Sequence, residues 1–227
     1  MYTLYIGNKN YSSWSLRPWV LLQTLGIEFE EKLEHFEAIE SFDKFRQFSP
    51  SGMVPCLIDG ESVIWDSLAI CEYVAEHQAD AWPGNSGQRA YARCVAAEMH
   101  SSFVALRRIC PMNCAIRVEM AEIPEELRKD MDRIDEIIIE GMTRFGGPFL
   151  AGNRFSIADA FYCPVAYRIN SYQLPVSFEA LEYVQGLLAM PAMQLWDSAA
   201  INESWRELQH EAEAATVGKI ILDRRIQ

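Results

Sequence analysis

Along the chain, the spacing of apolar residues changes once, near residue 80, from short strand-like runs to helical periods. Thr3 to Ile6, flanked and interleaved by Tyr2 and Tyr5, is a β-type run that Gly7-Asn8-Lys9-Asn10 breaks. In YSSWSLRPWVLLQTLG, Leu21, Leu22 and Leu25 fall on one helical face. Pro18 comes early, where a first helical turn tolerates it, and Gly26 is placed as a stop. Glu28 to Leu33 predicts a second strand carrying Phe29 and Leu33, and Ser41 to Phe48 a loop with a short helix. Cys56, Leu57 and Ile58 then form an apolar run, Asp59-Gly60 a hairpin dipeptide, and Val63 to Trp65 the return strand. After Asp66, residues Leu68, Ala69, Cys71, Val74 and Ala75 recur at helical spacing. The order over the first 80 or so residues is β-α-β-α-β-β-α.

Ala81 to Gly87, AWPGNSG, is a linker by composition. Beyond it no strand pattern is evident. Tyr91, Val95, Met99, Phe103 and Leu106 predict one long helix ending at the Cys110-Pro111 break. Pro124 opens another, with Leu127, Met131, Ile134 and Ile138 on one face, and FGGPFLAG breaks it. Ser156 fits an N-cap and Asp159, three residues on, can return the bond to its backbone N–H. Glu179 to Leu188 and Ala192 to Ala215 predict two more helices, and the tail VGKIILDRRIQ has no assigned role. The expected architecture is α/β plus all-α: a thioredoxin-like domain over 1–80, a linker over 81–87 and an all-helical domain over 88–227.

Composition narrows the function classes. Half of the 227 residues are hydrophobic and 23% are charged, as in ordinary globular proteins. A formal net charge of −12 argues against nucleic acid or an anionic membrane surface as partner. No apolar run reaches the length of about 18 residues that a span needs. MYTLYIGNKN carries neither the basic region nor the apolar core of a signal peptide, so a cytoplasmic protein is expected. The cysteines at 56, 71, 94, 110, 114 and 163 form no CxxC pair, which points to reduced core thiols and no metal site.

Chemistry concentrates between Ser49 and Val74, SPSGMVPCLIDGESVIWDSLAICEYV. Asp66-Ser67 at a helix start offers backbone N–H groups, a hydroxyl and a carboxylate together. That combination suits a ligand carrying an amine and a carboxylate at one end. The plain alternative is that Asp66 only caps its helix.

In order, spacing and residue types, the stretch resembles the glutathione-binding half of the soluble glutathione transferases. There a Val-Pro step with a cis proline precedes a hairpin and an acidic-Ser pair. FLAGNRFSIADA resembles the capping motif that opens the family's sixth helix, where Ser156 and Asp159 have a structural role. The resemblance covers nearly the whole chain. It implies glutathione as co-substrate, a small electrophile bound between the two domains, and a homodimer. Residue by residue, it assigns Val54 the main-chain contact to glutathione and Pro55 the cis proline. It assigns Asp66 and Ser67 the γ-glutamyl amine and carboxylate. Lys44 and Arg46 are the candidates for the glycine end.

A cysteine-like thiol titrates near 8.5, so only about 3% is ionised at pH 7. Lowering that value by two units takes roughly 2.7 kcal/mol, and one charge-assisted hydrogen bond supplies about 1.5–3 kcal/mol. Tyr11, Ser12, Ser13 and Ser15 are the candidate donors after the first strand, with Tyr5 a further rival. No cysteine precedes Cys56, which excludes the cysteine-using branch. Ser-Ser-x-x-x-Arg at 12–17 resembles the zeta-type transferases, in which the first serine bonds the sulfur. On that match Ser12 is the donor and Ser13 supports it, while Trp14 stands where zeta enzymes carry a cysteine. Trp14, Phe103 and Arg107 are expected on the electrophile pocket, with Arg108 a second basic candidate. His100 shows no partner in sequence. The expected function is a serine-type glutathione transferase acting at an electrophilic carbon. The alternatives are a zeta-type cis-trans isomerase and a non-catalytic binding or regulatory protein that keeps the fold without the turnover.

Overall fold

A computed structural model describes residues 1–37 and 41–225. The first part is a four-stranded sheet in the order β2-β1-β3-β4. It is built from β1 (Tyr2–Ile6), α1 (Ser13–Thr24), β2 (Phe29–Leu33), α2 (Ser41–Phe45), β3 (Cys56–Asp59), β4 (Ser62–Trp65) and α3 (Ser67–His77). β1 pairs with β2 in parallel across α1, and β3 and β4 run antiparallel. Alternation sets the faces: Leu4 and Ile6 of β1 are fully buried, and Leu4 lies opposite the equally buried Leu57. Asp59 pairs with Ser62, so the hairpin loop is Gly60-Glu61, with Gly60 at the positive φ of +57 that such a turn requires. Pro18 lies inside α1 rather than in its first turn, because the helix already begins at Ser13.

The second part is helical: α4 (Ser86–Ser101), α5 (Val104–Ile109), α6 (Glu125–Phe145), α7 (Ile157–Tyr172), α8 (Phe178–Ala189), α9 (Pro191–Asn202) and α10 (Leu208–Thr216). α7 is its centre. Every residue of α7 but Asn170 is buried, and it packs on α1, α4 and α8. Its start carries the expected capping box. Asp159 accepts from the Ser156 N–H (2.9 Å) and hydroxyl (3.1 Å), and also from the Leu150 N–H (2.9 Å) and the Tyr183 hydroxyl (3.0 Å).

Three expectations change here. The single helix predicted up to Cys110 is two, because Phe103 adopts φ 59 between α4 and α5 and buries its ring. Asp130 of α6 stabilises the new helix start by accepting from the Leu106 N–H at 2.9 Å. This split makes the capped helix the seventh rather than the sixth. The helix predicted over 192–215 is also two. Glu203 and Glu207 lie between α9 and α10: Glu203 accepts from the Lys9 N–H (2.7 Å), and Glu207 caps α10 through the His210 N–H (2.7 Å). Finally, the tail forms a strand, β6 (Gly218–Asp223), paired antiparallel with β5 (Ile116–Met120). Ile226 and Gln227, the last residues of that tail, lie outside the described residues.

Candidate functional site

Two cavities adjoin where the sheet faces the helices, sharing Trp14, Met53 and Val54. The smaller, about 280 Å³, is lined by the residues around the Val54-Pro55 peptide and the start of α3: Ser51, Pro55, Trp65, Asp66 and Ser67. The larger, about 500 Å³, lies between the start of α1 and the helical part, with Ser12, Ser13, Arg107, Met112 and Arg168 on its wall. α10 contributes His210 and Glu213 to its rim.

In the smaller cavity, the Val54-Pro55 bond is cis. Val54 makes no backbone–backbone hydrogen bond among the described residues, so both its polar groups are open to a ligand strand. Asp66 has φ 73 and caps α3, accepting from the Leu68 N–H at 2.8 Å with one oxygen. Its other oxygen is 3.5 Å from His100 Nε2. One carboxylate oxygen thus caps α3, as the plain reading has it, and the other lies beside His100. Ser67 accepts from the Arg17 guanidinium at 3.2 Å.

In the larger cavity, the Ser12 hydroxyl donates to Ser15 Oγ at 2.7 Å, and Ser15 Oγ also accepts from the Gly7 N–H at 3.1 Å. Ser13 opens α1, and its Oγ accepts from Arg168 at 3.4 Å. The tyrosine rivals are engaged elsewhere. Tyr11 donates to Glu211 of α10, and with burial this pushes its phenol up to about 12. Tyr5 stacks on Phe48 at 4.1 Å between centroids.

Three guanidinium groups surround this junction. Arg17 lies 4.0 Å from the Trp14 ring centroid and Arg107 5.2 Å from it, while Arg168 emerges from α7 behind Ser13. None of the three forms an ion pair among the described residues. Burial lowers Arg17 to about 9, with Arg107 and Arg168 adding repulsion. Burial likewise lowers Arg168 to about 10, and Arg107 is lowered too, with Asp130 opposing the shift. An acidic protein thus brings three guanidinium groups together at this junction, an arrangement that favours anions.

Of the residues singled out in sequence, Ser12, Ser13, Trp14, Val54, Pro55, Asp66, Ser67 and Arg107 meet at the two cavities. Lys44 does not: its ammonium is held by Glu34 (3.1 Å) and Glu37 (3.2 Å). Phe103 is 4% exposed and lies in the core, because its left-handed backbone turns the ring inward from the helix break. Arg108 points to Glu126 on α6. His100, without an evident partner in sequence, sits between Asp66, Arg17 and the Trp14 ring. Burial lowers its pKa, so its neutral form predominates at pH 7. Sequence reasoning missed Arg17 as a site residue and Arg168 altogether. Arg168 had a signal: it is the one Lys or Arg in α7, which is apolar over most of its length.

Among the described residues there is no group of three or more His, Cys, Asp or Glu that could hold a metal ion, and no helix is long and apolar enough to cross a membrane. All six cysteines are free, and five of them are buried.

Residues 11–77 match the family model described as the glutathione S-transferase N-terminal domain. Among curated relatives, a probable maleylacetoacetate isomerase of Caenorhabditis elegans is 25% identical over 183 residues, covering 77% of this chain and 81% of its own. A protein of the same description from Vibrio cholerae is 27% identical, covering 80% and 89%. A zeta class glutathione S-transferase of Euphorbia esula is 27% identical, covering 67% and 70%. Among solved structures, a glutathione transferase homolog from Burkholderia GL BGR1 with bound glutathione superposes at TM-score 0.66. It has 23% identity and covers 88% of this chain and 97% of its own, a likeness of fold.

Proposed function

The chain belongs to the soluble glutathione transferases and is zeta-like in sequence, and on that premise we propose that it binds glutathione and uses its thiolate at an electrophilic carbon. One observation carries the reading. The open backbone of Val54, the Asp66-Ser67 pair and the serines at the start of α1 converge on two cavities that meet at Trp14. Glutathione lies along the smaller cavity, with its cysteine backbone against Val54 and its γ-glutamyl amine and carboxylate at Asp66 and Ser67. The sulfur then points past Trp14 toward the larger cavity, where a serine hydroxyl holds it as thiolate. Its proton leaves to solvent, the sulfur attacks carbon, and a leaving group departs or the adduct remains.

The second substrate is a small anionic electrophile. Arg107 on the wall of the larger cavity supports this, since its guanidinium has no carboxylate partner among the described residues. Zeta-type isomerisation, in which the thiolate adds, a bond rotates and the thiolate leaves, is the second reading. The relatives from C. elegans and V. cholerae favour it by their descriptions. A cytoplasmic homodimer fits the free thiols and the commonest symmetry of soluble proteins.

The test is the ultraviolet absorbance of bound glutathione thiolate against pH. Ionisation below pH 7 upholds the enzyme reading, and failure to bind glutathione leaves a non-catalytic relative. Product analysis with a cis-configured dicarboxylic electrophile separates isomerisation from stable addition.

A further inference from the structure

We propose that Ser13, rather than Ser12, donates the hydrogen bond to the glutathione sulfur, and that the buried guanidinium of Arg168 behind it supplies the charge that favours the thiolate. This rests on the reading of the site as a glutathione transferase site.

The hydroxyl geometry separates the two serines. The Ser12 proton is used in the 2.7 Å bond to Ser15 Oγ, which in turn accepts from the Gly7 N–H. That arrangement ties the loop after β1 to the start of α1. Ser13 Oγ, in contrast, accepts from Arg168 Nη2 at 3.4 Å and donates to nothing among the described residues. Its proton is therefore available to the cavity it lines. Ser13 is also the first residue of α1; its own N–H donates to the Tyr11 carbonyl, but those of Trp14 and Ser15 have no backbone partner among the described residues, and with the helix dipole they add to the attraction for an anion.

Arg168 shares with Arg17 and Arg107 the lack of a carboxylate partner among the described residues, and of the three it is the one bonded to Ser13. It is 6% exposed, yet all three of its hydrogen bonds go to neutral acceptors: Nε to the Cys110 carbonyl (2.9 Å), Nη1 to the Pro164 carbonyl (3.4 Å) and Nη2 to Ser13. No carboxylate pairs with it among the described residues, and the nearest charges pressing on it include another cation, Arg107. A buried cation without a counterion is costly and normally finds a partner. The cavity it borders, shared with Ser13, is where the reading above puts the sulfur. A thiolate there would be that partner. An opposite charge within about 4–6 Å shifts an ionisable group by about one to three pH units toward its charged form. Ser13 polarised by Arg168 then gives the sulfur both a donor and a charge.

The experiment follows bound glutathione thiolate by absorbance against pH in the wild type, Ser12→Ala, Ser13→Ala, Arg168→Met and Arg168→Lys. Binding of S-methylglutathione, which has no ionisable sulfur, is measured in parallel. The expected result is that Ser13→Ala and Arg168→Met raise the pH of half-ionisation by about one unit or more. Arg168→Lys retains most of the wild-type value. S-methylglutathione binds all variants within about twofold, since a tenfold change would mean that the peptide contacts themselves had moved. Should Arg168→Met fail to fold by circular dichroism, Ser13→Ala against Ser12→Ala decides alone. A shift in Ser12→Ala with none in Ser13→Ala overturns the assignment. So does an unmoved titration in Arg168→Met with a raised KM for the electrophile, which makes Arg168 a substrate-carboxylate residue. If wild-type protein does not bind S-methylglutathione, the glutathione reading itself falls, a result distinct from binding with an unmoved titration.

Discussion

Arg17, in the middle of α1, donates a 3.2 Å hydrogen bond to the hydroxyl of Ser67, the first residue of α3. The guanidinium is almost wholly buried between the Trp14 and Phe161 rings, and its Nε has no hydrogen-bond partner. A cation is thereby fixed behind the hydroxyl assigned to the γ-glutamyl carboxylate. Arg17→Met should weaken glutathione binding roughly ten- to a hundredfold, the range of a lost charge-assisted contact. Titration calorimetry reads it directly. An unchanged Kd in a folded Arg17→Met protein would reduce Arg17 to a core residue that happens to touch Ser67.

On the proposed reading Asp66 has two tasks, capping α3 and facing the γ-glutamyl amine, that substitution can separate. One oxygen caps α3 through the Leu68 N–H, and asparagine caps as well as aspartate does. Asp66→Asn should therefore leave thermal stability close to wild type while weakening glutathione, because the charge facing the γ-glutamyl amine is gone. Asp66→Ala should lose both, with about 0.5–2 kcal/mol of stability as the share of the cap. Paired denaturation and binding curves for the two variants test this. Equal Kd values for wild type and Asp66→Asn would leave the cap as the only role of Asp66.

Tyr11 lines the larger cavity, but its hydroxyl is committed to Glu211 of α10, which also binds Arg225. Tyr11→Phe should not move the ionisation of bound glutathione. It should loosen the C-terminal segment, seen as faster amide exchange across α10 and β6. A Tyr11→Phe protein whose bound thiol titrates near the free value would make tyrosine the sulfur donor.

Sequence was most informative where structure is local. The hairpin and capped helix between Cys56 and Val74 were legible because both depend on near neighbours, although the loop is Gly60-Glu61 and not the expected Asp59-Gly60, since Asp59 still pairs with Ser62. The pairing of β5 with β6 was invisible because Ile116 meets Asp223, more than a hundred residues away; β5 alternates apolar and polar residues over only five positions, and β6 does not alternate at all. The break at Phe103 left no mark on the apolar period, since Phe103 and Leu106 both stay in the core on either side of it. At the site, motif residues were recognisable, but pairings between elements were not. His100 meets Asp66 and Arg168 meets Ser13 through tertiary packing in which α7 lies against both α1 and α4. The partners of Lys44 were hidden for the same kind of reason: Glu34 and Glu37 meet its ammonium in the fold.

The Asp159 carboxylate joins the cap of α7 to the Leu150 backbone and to Tyr183 of α8. Asp159→Ala leaves those buried donors unpaired at about 1–3 kcal/mol each, so a loss of several kcal/mol is expected, enough to threaten folding at 37 °C. Burial raises the Asp159 pKa to about 6 despite the four donors. The sign of the pH effect follows from that direction. A folded pKa above the unfolded value means that the native state holds this proton more tightly than the unfolded chain does. The stabilisation linked to that proton is fully present below the unfolded value of about 3.9 and is lost as pH rises through about 6. Urea unfolding of wild type and Asp159→Ala across pH 4 to 8 should therefore show the largest gap in stability near pH 4 and a smaller, constant gap above pH 7. A gap that grows as pH rises through 6 would mean that the four donors outweigh burial and keep Asp159 ionised throughout.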